Sequence, residues 1–170
     1  MQMNLDYLVL HAEITMAFVA FATIVATLRQ AFGGYLTRLQ NLLFRFFVEV
    51  GFLGMIMALV PIALSTILTS DLQVWRVSTY SILALTGLYL PFYVRRRKKI
   101  EEHIPWISIL VMVGYGISII IMIVTATELF WLPSLATTTY FLAWALISNI
   151  AIFVYFLGTF IELNKTDSDD

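Results

Sequence analysis

Five long apolar runs separated by short polar connections dominate this 170-residue sequence. A helix needs about 20 mostly apolar residues to cross ~30 Å of hydrocarbon, and each run reaches that length. The sequence therefore predicts an all-α integral membrane protein, a bundle of five transmembrane helices. The predicted spans are about 5–28, 42–68, 74–94, 105–127 and 136–161.

Composition supports the same class of protein, because 61% of the residues are apolar and only 12% are charged. A soluble domain of this length could not cover its surface with so few polar groups, so the apolar surplus is expected to face lipid. We predict a single transmembrane domain over 1–163, a polar tail over 164–170 and no soluble domain. The chain has no cysteine, which excludes disulfides, thiolate metal sites and a cysteine nucleophile.

The basic residues predict the orientation, since short loops rich in Lys and Arg stay on the cytoplasmic side. They cluster around the first connection, in the third connection and in the tail, whereas the second connection has only Arg76 nearby. With five spans, these three regions lie on one side. The N-terminus is then outside and the C-terminus cytoplasmic, in a multi-pass protein of the cytoplasmic or inner membrane.

Two carboxylates fall inside predicted spans, where a charge costs at least about 2.5–3.5 kcal/mol. Glu49 lies four residues after Arg45, so either the two form an ion pair on one helix face or Glu49 belongs to a polar, proton-handling pathway. Glu13 has no basic neighbour on its own helix. It is either a packed, hydrogen-bonded residue or a proton- or cation-handling group, and Ala17, Ala20, Thr23 and Thr27 continue its side of the helix.

Neutral polar residues add further candidates. Tyr115 and Ser118 share one side of the fourth span, and Asn149 lies near the centre of the fifth. They either hydrogen-bond between helices or line a polar pathway together with Glu13. His11 is expected at the membrane interface. His103 is predicted on the opposite side of the membrane, so the histidines do not form a metal or haem site, and no cofactor is expected.

Small residues three or four positions apart predict close helix contacts, either within the chain or between copies. They are Gly51, Gly54 and Ala58 on the second span and Gly114 with Ser118 on the fourth. The run of basic residues in the third connection is expected to anchor that side and to contact lipid headgroups. Its members are Arg95, Arg96, Arg97, Lys98 and Lys99.

Enzymatic chemistry is not expected, because no span carries a dyad of aspartates or a serine with a histidine at matched depth. Three hypotheses remain. The chain is an oligomeric channel or transporter for ions or protons that uses its intramembrane carboxylates, an accessory subunit that binds other membrane proteins, or an effector switched at its basic loop. The expected partners are the bilayer and another membrane protein or a second copy, and not nucleic acid.

Overall fold

The computed structural model describes residues 5–31, 36–99 and 105–166, with side chains through residue 159. These residues form five α-helices and no β-strand. The helices are α1 (Asp6–Ala31), α2 (Arg38–Ser65), α3 (Asp71–Arg97), α4 (Trp106–Ala126) and α5 (Leu135–Thr166). All five are long and apolar enough to cross a membrane, as expected of a multi-pass membrane protein.

Several helices extend beyond their predicted spans, and for α2 a capping interaction explains the extension. α2 begins four residues before the predicted start at 42, since the Thr37 hydroxyl accepts a hydrogen bond from the Gln40 amide and the Gln40 side chain accepts one from the Thr37 amide. α3 continues through Arg97. The α5 backbone is helical through Thr166, into the predicted tail, and residues 167–170 lie outside the described part of the chain.

Helix α2 occupies the centre of the bundle and contacts α1, α3 and α5, whereas α4 contacts α3 and α5. We call the end of the bundle that contains Arg38 and Arg95–Lys99 the basic end. One apolar cluster, including Phe47, Tyr93 and Phe156, lies toward this end. A second cluster, including Leu8, Trp75 and Leu142, lies toward the other end.

The small residues that were predicted to allow close helix contacts lie between helices of this same chain. A Cβ at Gly51 would clash with Val19 of α1, and Gly54 lies beside His11 and Thr15 of α1. Ala58 is fully buried in the second cluster. These residues let α1 approach α2 closely.

Gly114 has the corresponding role between α4 and α5. The indole of Trp144 lies directly over it, so that any side chain at this position would overlap the ring.

Candidate functional site

Glu13 lies on the outside of the bundle. It is seven residues into α1, about 10 Å along the axis, and its side chain is exposed. It has no hydrogen bond or ion pair with any residue in the described part of the chain. The carboxylate therefore faces whatever surrounds the bundle at this position.

The residues that share the side of α1 with Glu13 are also exposed. They are Ala17, Ala20, Thr23 and Thr27. Thr23 and Thr27 each donate a hydroxyl hydrogen bond to the carbonyl four residues earlier, at 2.8 Å, so their polar atoms are satisfied by their own helix. We call Glu13, Ala17, Ala20, Thr23 and Thr27 the α1 outward face. This face combines small side chains, which let another helix approach, with one carboxylate, and the exposed Ile24 lies among them.

Glu49 belongs to a different environment. Arg45 donates to its Oε1 at 2.7 Å, which is the predicted ion pair within α2. Arg96 of α3 donates from Nη1 to both carboxylate oxygens, at 2.7 and 2.6 Å. The Glu49 side chain is 25% exposed. Two guanidinium groups thus neutralise this carboxylate and join α2 to α3 near the basic end.

A cavity of about 40 Å³ lies among α2, α3, α4 and α5 beside this ion-pair cluster. Apolar side chains form most of its wall, together with Thr86, Tyr89 and Tyr115. The hydroxyl oxygens of Thr86 and Tyr115 are buried and have no hydrogen-bond partner among the described residues. A water molecule needs about 10–15 Å³, so the cavity has room for about three. Tyr89 also interacts electrostatically with Glu49.

The remaining candidates of the predicted polar pathway are buried but do not line this cavity. Ser118 and Asn149 are 0% and 3% exposed, and the Ser118 hydroxyl and the Asn149 side-chain oxygen have no partner among the described residues. Tyr115 lines the cavity, whereas Glu13 points away from the bundle. The structure therefore does not bring Glu13 together with Tyr115, Ser118 and Asn149 inside one chain.

The basic run divides into two environments. Arg95, Lys98 and Lys99 are exposed, as expected for residues that contact headgroups. Arg96 instead turns toward Glu49. The spacing of Tyr89, Tyr93 and Arg96 places all three on one helical face, and this signal could have separated Arg96 from its neighbours.

Two further features were missed from sequence. His11, expected at the interface, is 2% exposed and packs beside Gly54 of α2. Its position three residues after Leu8 and four before Thr15 on the buried side of α1 is the signal that could have shown this. Arg76 pairs with Glu128 at 2.5 Å, which connects the start of α3 to the residues after α4.

Comparisons with protein-family models, with curated proteins and with solved structures find no match to this chain.

Proposed function

We propose that the chain is a subunit of a homo-oligomeric proton- or cation-conducting protein of a cytoplasmic membrane, with its N-terminus outside and its C-terminus inside. In this proposal the conducting path lies between copies, along the α1 outward face, and Glu13 is the residue that carries the proton or cation. The observation on which the proposal depends is the exposure of Glu13 at this depth in α1.

The energetic argument starts from the cost of a carboxylate in hydrocarbon. An ionised side chain near the bilayer centre costs about 2.5–3.5 kcal/mol on insertion scales, and such residues usually face a protein partner or water. No described residue of the same chain relieves this cost for Glu13. A second copy that covers the face, with water between the carboxylates, would relieve it.

The interior of the single chain supports a path between copies. The cavity among α2, α3, α4 and α5 is about 40 Å³ and mostly apolar, and the Glu49 carboxylate beside it is held by two arginines. A carboxylate held by two guanidinium groups is a poor carrier of protons, because those groups stabilise its charged form. Five helices are also too few to enclose a wide pore.

The experiment combines mass and flux on one sample. The mass of the purified protein in nanodiscs gives the oligomeric state, and proton and cation flux into liposomes is measured for the wild type, Glu13→Gln and Glu13→Asp. We expect a defined oligomer, flux lost in Glu13→Gln and largely retained in Glu13→Asp, which keeps the carboxylate. A wild type without flux, or equal flux in Glu13→Gln, would refute the conducting role.

A second function is supported by the same face. In an accessory subunit, Glu13 would pair with a Lys or Arg in a transmembrane helix of another protein, and this charge complementarity would relieve the same cost. Here Glu13→Gln would release the partner from the purified complex while the isolated chain, monomeric and without flux, would fold normally.

A third function, an effector switched at the basic loop, is supported by the contact between Arg96 and Glu49. Arg96 lies in the basic run, so a ligand that displaced the run would also loosen α2 from α3. This alternative predicts that Arg96→Gln, rather than Glu13→Gln, removes the response to the ligand.

A further inference from the structure

We propose that a groove between α3 and α4 at the basic end binds one anionic phospholipid. The groove has a volume of about 380 Å³. It is lined by Tyr93, Arg97, Ser108, Ile109, Met112 and Val113. This proposal does not depend on conduction or on Glu13.

The groove is polar at the basic end and apolar further along α4, which matches the headgroup and the acyl chain of a phospholipid. Arg97 is the last residue of α3, and Ser108 lies in the first turn of α4, so both are at helix ends. Met112 follows Ser108 by four residues, about 6 Å further along α4. Ile109 and Val113 are 52% and 58% exposed and form an open apolar wall. A headgroup beside Arg97 would direct an acyl chain along this wall.

Charge favours an anionic headgroup over a zwitterionic one. Lys98 and Lys99 follow Arg97 directly in the chain and are exposed, so they add to the positive potential at this end of α3. Arg96 contributes little, because Glu49 neutralises it.

The start of α4 adds a smaller attraction for an anionic headgroup. Pro105, the residue before α4, provides no side-chain cap within the described part of the chain, so the partial positive charge of the helix N-terminus also lies at this end. The apolar wall selects a lipid over a free phosphate, because a free phosphate would leave Ile109 and Val113 uncovered.

The test uses the full chain in phosphatidylcholine nanodiscs that contain a minor fraction of phosphatidylglycerol. Native mass spectrometry counts the lipids that each chain retains. We expect one phosphatidylglycerol per chain, retained in preference to phosphatidylcholine. Arg97→Gln should weaken this retention about five-fold, which corresponds to ~1 kcal/mol. Arg95→Gln removes the same charge outside the groove and is the matched control, with a clearly smaller effect.

A second pair of variants tests the apolar part without changing charge. Val113→Trp fills the groove and should reduce retention, whereas Ile117→Trp, at a position 51% exposed one turn further along α4, should not. Circular dichroism and thermal unfolding verify that each variant folds. If Arg97→Gln does not fold, the second pair of variants still tests the proposal. Three outcomes would overturn the proposal. Arg97→Gln and Arg95→Gln could reduce phosphatidylglycerol retention equally, the chain could show no preference for phosphatidylglycerol over phosphatidylcholine, or inorganic phosphate could stabilise the chain as much as phosphatidylglycerol does.

Discussion

Arg96 donates from one guanidinium nitrogen to both oxygens of Glu49, at 2.7 and 2.6 Å, across the interface of α3 and α2. Arg45 donates to the same carboxylate from one turn away on α2. Glu49 and Arg96 are only partly exposed, at 25% and 35%, whereas Arg45 is 59% exposed. An ion pair in this position stabilises the contact between helices more than a fully exposed pair would.

Arg96→Gln should therefore destabilise the fold. The substitution leaves Glu49 with Arg45 alone and removes the charged connection between α2 and α3, at a cost of roughly 1–3 kcal/mol, between the values for exposed and buried pairs. Unfolding by denaturing detergent in mixed micelles measures the loss. Arg95→Gln, at an exposed position of the same run, should change stability by about 0.5 kcal/mol or less. A double-mutant cycle with Glu49→Gln that gave no coupling would contradict the contact.

Gly114→Ala should destabilise the contact between α4 and α5. The new methyl group would overlap the Trp144 indole, and overpacking of this kind costs about 1–3 kcal/mol. Gly116→Ala is the matched control two residues away, because a Cβ there meets nothing within 4 Å, and it should be neutral or slightly stabilising.

The same clash predicts non-additivity. Trp144→Ala should cost less in the Gly114→Ala background than in the wild type, since removing the indole also removes the overlap. Thermal unfolding of the four proteins of this cycle tests it, and additive effects would mean that the indole moves aside freely.

Tyr115→Phe should reveal whether water occupies the cavity. The hydroxyls of Thr86 and Tyr115 lie at its wall without partners among the described residues, so we expect water to bridge them. Loss of one hydroxyl from such a network should cost about 1 kcal/mol, whereas Tyr140→Phe, at a position 44% exposed, should be close to neutral. Solid-state NMR transfer of magnetisation from water to the cavity residues reads hydration directly. A Tyr115→Phe protein as stable as the wild type, with no such transfer, would indicate a dry cavity.

Ala20→Cys should form disulfide-linked dimers in native membranes. The chain has no cysteine of its own, so a single introduced thiol reports one position only. Ala20 lies on the α1 outward face, and a disulfide forms where two Cβ atoms approach within about 3.5–4.5 Å. Leu88→Cys, 67% exposed on α3, is the control and should remain monomeric under the same oxidant. Equal crosslinking at both positions would indicate random collision rather than an interface on α1.

The sequence by itself determined the number and approximate position of the helices, because the length of an apolar run is a local property and the thickness of a bilayer sets the length that is needed. It also predicted the pair of Arg45 and Glu49, since a spacing of four residues fixes their geometry within one helix. The helix ends were predicted less accurately, because the capping box of Thr37 and Gln40 starts α2 before the apolar run begins.

Only the tertiary structure decided which side of each helix faces another helix. Glu13 and His11 are two residues apart, yet one is exposed and the other is 2% exposed against Gly54. Likewise, Arg96 contacts Glu49 while Arg95 is exposed, although the two are neighbours in one basic run. In an almost wholly apolar helix the hydrophobic pattern has little amplitude, so the rotation of the helix depends on contacts between residues that are distant in sequence.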